Sequence, residues 1–146
     1  MNTSPKERNI VPSTDASGHI EMSDRPRTIL IADDSQRVRK IVRRALERDT
    51  DFTICGEAAD GVEAVTKAKQ LLPDLILLDV RMARLNGLEV AGILRQALPN
   101  LRIMMVTMYA EEMHASLTSL FRIDDVFSKA EGVTRLIERV RDILAN

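Results

Sequence analysis

Three carboxylates, a hydroxyl and an ammonium stand at the ends of successive apolar runs in this chain: Asp33 and Asp34 after the first, Asp79 closing the third, Thr107 closing the fourth and Lys129 just past the fifth. If those runs are parallel strands of one sheet, their carboxyl ends share an edge, and the five side chains converge on it. Clustered carboxylates repel one another, which raises the pKa of some and costs stability unless a cation neutralises them. An oxygen-only donor set with room for water suits a hard divalent ion, Mg²⁺, with Mn²⁺ as a substitute. A carboxylate beside such an ion, with a lysine and a hydroxyl nearby, suits a phosphoryl acceptor, because phosphoryl transfer needs positioning and neutralisation of developing oxygen charge more than covalent help. Taken singly, each residue is ordinary: an acidic pair after a strand caps a turn, and a lone lysine is a surface charge.

The elements that must position them are legible as five apolar runs alternating with segments of helical period, the pattern of parallel strands with helical crossovers. The runs are Thr28 to Ala32, Phe52 to Ala58, Leu75 to Asp79, Arg102 to Thr107 and a weak Asp125 to Ser128. Being continuous rather than alternating, most suit strands covered on both faces. Val38, Ile41, Val42, Ala45 and Leu46 make one apolar helical stripe; Val133, Leu136, Ile137, Val140 and Leu144 make another. Asp60 with Glu63, and Asn86 with Glu89, read as helix starts, while Pro73 and Pro99 close the helices before them. The expected fold is an α/β doubly wound sheet of five parallel strands.

Length and composition agree with one domain and one core. The chain has 146 residues, 45% apolar but only 3% aromatic, so aliphatic side chains must fill the interior and a base-stacking platform is disfavoured. The net charge of −1 is not that of a protein living on phosphate backbones, and direct nucleic-acid binding is disfavoured with it. Cys55, the single cysteine, excludes an internal disulfide and reads as a small buried residue. The sequence has neither a membrane-length apolar run nor a secretory pattern, so the expectation is a cytoplasmic protein. Residues 1–26, rich in Pro, Ser and Thr without helical or strand period, read as a flexible tail, and 27–146 as the domain.

The stretch ILIADDSQRVRKIVRRAL, followed by GEAADGVEAV, LPDLILLDVRM, LNGLEV, IMMVTMY and FSKAEG, resembles the receiver domain of two-component response regulators, in particular regulators with a C-terminal helix-turn-helix. The resemblance runs from about Arg27 to Asn146 and implies a CheY-like sheet of strand order 2-1-3-4-5. It further implies that Asp79 accepts a phosphoryl group from a histidine kinase or histidine phosphotransfer protein. Asp34 and Asp79 would ligate Mg²⁺ with the backbone carbonyl of Arg81, and Asp33 would reach it through water. Thr107 and Lys129 would bind the phosphoryl oxygens and draw the loops after the third and fourth strands inward, a population shift that switches binding of a downstream protein. The chain ends with no room for an output domain, so it is expected to stand alone, although a fragment of a longer regulator would look the same.

Departures from the family pattern are informative. Val126 occupies the usual switch-aromatic position, with Phe127 or Tyr109 as candidates to substitute. Ala83 replaces a common proline, and Arg122-Ile123-Asp124-Asp125 stands where a Gly-Ala turn is usual, so a reshaped loop is expected. Arg81 and Tyr109 would flank the path of attacking water and slow hydrolysis. An aspartate-dependent phosphatase would need an acid where Arg81 stands; a phosphorylation-independent pseudo-receiver is the stronger rival.

Outside the acidic edge, the segment Arg37 to Arg48 carries six basic residues, among them Arg37, Lys40 and Arg44. A solvated face explains them, as does a docking surface for an acidic kinase partner. Met104 and Met105 read as core, while Met108 and Met113 could form a soft surface for a partner, leaving a monomer or a phosphorylation-dependent dimer open. Neither His19 nor His114 has a metal-ligand neighbour at suitable spacing.

Overall fold

The computed structural model describes residues 25–108 and 115–145. Five strands, β1 (Arg27–Ala32), β2 (Phe52–Ala58), β3 (Leu75–Leu78), β4 (Arg102–Thr107) and β5 (Asp125–Ser128), form one all-parallel sheet of order β2-β1-β3-β4-β5. Between and after them run α1 (Gln36–Glu47), α2 (Gly61–Leu71), α3 (Gly87–Ala97), the short α4 (Ala115–Leu120), a single 3₁₀ turn (Lys129–Glu131) and α5 (Val133–Ala145). The expected topology is the observed one. The strand order reverses between β1 and β3, the switch point at which a doubly wound sheet opens a crevice beyond its carboxyl ends.

Side-chain alternation sorts the core into two layers. Ile29 and Ile31 of β1, Leu75 and Leu77 of β3, Met104 and Val106 of β4 and Phe127 of β5 pack with Val42 and Leu46 of α1 and Leu136, Val140 and Leu144 of α5. Leu30, Ile76, Leu78, Ile103 and Met105 face the other way, onto Ala64 and Ala68 of α2 and Val90, Ala91 and Leu94 of α3. Strands covered on both faces explain why the runs are continuous in sequence. The caps fall where the side chains suggest: Asp60 accepts the Glu63 amide, and Asn86 with Glu89 forms a reciprocal capping box.

Four expectations are corrected. Ile41 is 45% exposed, because α1 turns only Val42, Ala45 and Leu46 fully inward. Cys55 is half-buried on the edge strand β2, its thiol against the Ile29 carbonyl, and burial pushes that thiol's pKa up. The third strand stops at Leu78, so Asp79 stands just beyond the sheet, and the first begins at Arg27. Phe127 cannot stand in for an aromatic at 126: the two side chains point into opposite layers, and Phe127 is locked under the Arg139 guanidinium, 5.6 Å from its ring centre. Residues 1–24, His19 among them, and Tyr109, Met113 and His114 lie outside the described residues, while Arg25 at the end of the tail pairs with Asp74 at 2.8 Å.

The turn into β5 is built on an arginine that periodicity hides. Arg95 of α3 is 8% exposed, and its guanidinium donates to the carbonyls of Pro99, Leu101, Phe121 and Arg122, with Asp124 at 3.7 Å. Burial lowers its pKa against the raising effect of Asp124. That fork gathers four carbonyls around one cation at the turn where Arg122 stands at φ 52°, a left-handed conformation costly for any residue with a Cβ. This turn stands where a Gly-Ala turn is usual in the family pattern.

Candidate functional site

The carboxyl ends of β1, β3, β4 and β5 bring Asp33, Asp34, Asp79, Thr107 and Lys129 to one crevice edge. Asp33 follows β1 and is held on three sides: its amide donates to the Ala58 carbonyl at 3.0 Å, its Oδ1 accepts the Ser35 amide at 2.9 Å, and its Oδ2 faces Lys129 Nζ at 2.8 Å. Ser35 caps α1 through the Val38 amide, so the acidic pair sits in a turn that both strand and helix define. Asp34 is exposed, and no group among the described residues bonds its carboxylate.

Asp79 is 6% exposed and accepts Lys129 Nζ at 3.4 Å. Burial and the charge of Asp33 push its carboxyl pKa up, while Lys129 and the Arg81 backbone amide oppose the rise. Burial works against the Lys129 ammonium, yet its bonds to Asp33 and Asp79 outweigh that and raise its pKa, so the lysine stays charged. Thr107 is 1% exposed at the end of β4. The backbone after Asp79 is fixed by contact rather than by side chains. The Gly87 amide donates to the Val80 carbonyl at 2.7 Å, and a Cβ on Gly87 would lie 2.3 Å from the Asp79 carbonyl.

One oxygen from each of Asp33, Asp34 and Asp79 lies within 4.8 Å of the others. Three carboxylates and no sulfur or imidazole is the donor chemistry of a hard divalent ion, so the residues present fit Mg²⁺.

The site and its sheet topology agree with what the sequence is related to. A model of the response regulator receiver domain matches residues 29–141. The chain belongs to the response regulator receiver domain family. It is 42% identical over 84 residues to the transcriptional regulatory protein YxjL of Bacillus subtilis, covering 58% of this chain and 38% of that protein. It is 32% identical over 123 residues to the response regulator protein VraR of Staphylococcus saprophyticus, covering 83% of this chain and 58% of that one. The crystal structure of the response regulator domain of Thermotoga maritima CheB superposes with a TM-score of 0.74 at 30% identity, covering 81% of this chain and 96% of that domain. Receivers of this family accept phosphoryl groups. The chain spans less than two thirds of either curated relative, as a receiver module does within a longer regulator.

The other singled-out residues fall in three places. On α1, Arg37, Lys40 and Arg44 are exposed without an ion-pair partner among the described residues, whereas Arg39 and Arg43 turn back onto Glu57 at 2.9 and 2.7 Å. Six basic residues in sequence thus become a smaller free basic face. Val126 is half-buried against the α2 and α3 layer. Met104 and Met105 are core, while Met108 is 57% exposed. Sequence reading missed Arg39 and Arg95. The signal for Arg95 was a charge on the apolar face of Val90, Ala91 and Leu94; nothing in the spacing distinguishes Arg39 from its basic neighbours.

Proposed function

We propose that this chain accepts a phosphoryl group on Asp79 from the phosphohistidine of a histidine kinase or histidine phosphotransfer protein, and that the phosphorylated form switches binding of a downstream protein. The observation that carries the reading is Lys129, a half-buried ammonium shared between Asp33 and Asp79 at the edge where the buried, hydroxyl-bearing Thr107 also stands. An Asp79 carboxylate oxygen attacks phosphorus; an O–P bond forms as the N–P bond of the donor imidazole breaks, and the imidazole takes up a proton as it leaves. Asp34, Asp79 and the Arg81 carbonyl would hold Mg²⁺, with Asp33 acting through water. The ion's contribution when bound is neutralisation of charge that builds on the phosphoryl oxygens. Lys129 would pair with one of those oxygens and the Thr107 hydroxyl would donate to another, the first half-buried and the second buried at the crevice edge.

Arg81, placed where an aspartate phosphatase would carry its second acid, supports an acceptor over a turnover enzyme. By the family pattern, Arg81 and Tyr109, each two residues beyond the acceptor and the threonine, would flank the path of attacking water, so replacing both with alanine should shorten the phosphoryl lifetime. The free basic face of Arg37, Lys40 and Arg44 suits an acidic partner, with association that weakens as salt rises.

Intact mass after incubation with Mg²⁺ and acetyl phosphate tests the reading without knowledge of the kinase. One phosphoryl group on the wild type and none on Asp79→Asn is expected. No addition to either would overturn it in favour of a phosphorylation-independent binding module.

A further inference from the structure

Resting on the reading of the acidic edge as a Mg²⁺ site, we propose that Arg39 is a positioning residue for that site, acting through the peptide that joins Asp33 to Asp34. Its Nη1 donates to the Asp33 carbonyl at 2.6 Å, and its Nε donates to Glu57 Oε1 at 2.9 Å. The other Glu57 oxygen accepts Arg43 at 2.7 Å, and Arg43 in turn pairs with Glu47 at 3.1 Å. The guanidinium is therefore gripped from both sides, between a strand carboxylate and a turn carbonyl, with its side chain 13% exposed.

Consequences for the site follow from rigidity. The Asp33 carbonyl is part of a planar peptide unit whose far end is the Asp34 nitrogen. Rotating that unit swings the Asp34 side chain. No group among the described residues bonds the Asp34 carboxylate, so the backbone at Asp34 is what places that side chain within reach of Asp79. Asp33 is secured by Ser35 and Lys129; Asp34 depends on the orientation of the peptide before it, and Arg39 is the side chain that fixes that peptide. A planar two-pronged donor does this where a lysine cannot, because an ammonium lacks the fork that reaches a carbonyl and a carboxylate in fixed directions.

Positioning and simple electrostatics predict opposite signs. Arg39 is a cation close to a cation site, so by charge alone its removal should tighten Mg²⁺ binding. By positioning, its removal should weaken binding, on the order of tenfold as for outer partners of metal ligands. The experiment is a Mg²⁺ titration of the wild type, Arg39→Ala and Arg39→Lys, followed by calorimetry and by the amide resonances of Asp34 and Ser35, with Tm recorded for each. Weaker binding in both variants is the expected result. Tighter or unchanged binding in Arg39→Ala, or unchanged binding in Arg39→Lys, overturns the proposal; so does a fall in Tm with Mg²⁺ affinity intact, which would make the residue structural only. Should Arg39→Ala fail to fold, Arg39→Lys, which keeps the charge beside Glu57, decides alone. A wild type that binds no Mg²⁺ overturns the metal-site reading itself, a result visible before any variant is compared.

Discussion

Lys129 Nζ lies closer to Asp33, at 2.8 Å, than to the acceptor Asp79, at 3.4 Å. The ammonium thus sits among the carboxylates as a built-in counter-ion, opposing a second cation there. Lys129→Ala should tighten Mg²⁺ binding roughly tenfold, the order expected when a unit charge is removed from beside a divalent ion even in high dielectric. The same variant should accept phosphoryl groups from acetyl phosphate far more slowly, because no cation then meets the incoming oxygens. Titration calorimetry and the phosphorylation rate would move in opposite directions; a parallel loss of both would mean that Lys129 mainly holds the fold.

The buried acceptor is a site of electrostatic cost. Asp79 is buried beside a second carboxylate, and both conditions disfavour its ionised form. Asp79→Asn removes one of the repelling charges and leaves Lys129 its shorter bond to Asp33, so without divalent metal the variant should melt higher than the wild type. Adding Mg²⁺ should raise the wild-type Tm and move that of Asp79→Asn much less, since a ligand stabilises only the state that binds it. Thermal melts at matched ionic strength, with and without the ion, check both arms.

Gly87 is the point where α3 approaches the acceptor loop too closely for a side chain. A methyl there would meet the Asp79 carbonyl at 2.3 Å and the Val80 Cα at 2.8 Å, backbone atoms that cannot move without displacing the acceptor. Gly87→Ala should destabilise by about 1–3 kcal/mol, as overpacked sites do, and also slow phosphorylation. Gly132, with open space around its missing Cβ but φ 89°, is the control: Gly132→Ala should cost stability through backbone strain alone and leave the acceptor's phosphorylation rate intact. Denaturant unfolding paired with the acetyl phosphate rate distinguishes the two.

The five strands, their parallel arrangement and the five residues at the acidic edge were legible because each rests on a strong local signal, whereas the strand order came from the family resemblance. Continuous apolar runs imply strands covered twice, and polar residues closing such runs collect at one edge. What stayed hidden depends on direction in space. Arg39 and Arg43 read like Arg37, Lys40 and Arg44, yet the first two turn toward Glu57 on a neighbouring strand, a partner that helical period alone cannot supply. Ile41 matches the stripe spacing of Val38 and Val42 but falls on its outer rim. Arg95 looks like a helix surface charge until the β5 turn closes over it and offers four carbonyls. Phe127 and Val126 are adjacent in sequence and opposite in space, so an aromatic one position along is no substitute.

Glu57 joins the acidic edge to α1 and makes stability depend on pH. Its bond to Arg43 holds the carboxyl pKa below the ordinary glutamate range; burial opposes this, and Arg39 adds to the lowering. The other charged groups facing it are Lys67, whose ammonium meets the Glu57 carbonyl, and Glu47 beyond Arg43. A carboxyl whose folded pKa is depressed contributes in full above its unfolded pKa of about 4.3. As pH falls below that value the unfolded chain takes up the proton first, and the contribution shrinks until it is gone below the folded pKa. The stability difference between wild type and Glu57→Gln should therefore be about 1 kcal/mol at pH 7, in line with partly exposed ion pairs, and should fade as pH drops through 4 toward 3. Denaturant melts of the two proteins at both pH values measure it. A difference that persists undiminished at pH 3 would show that the glutamine disturbs packing rather than charge.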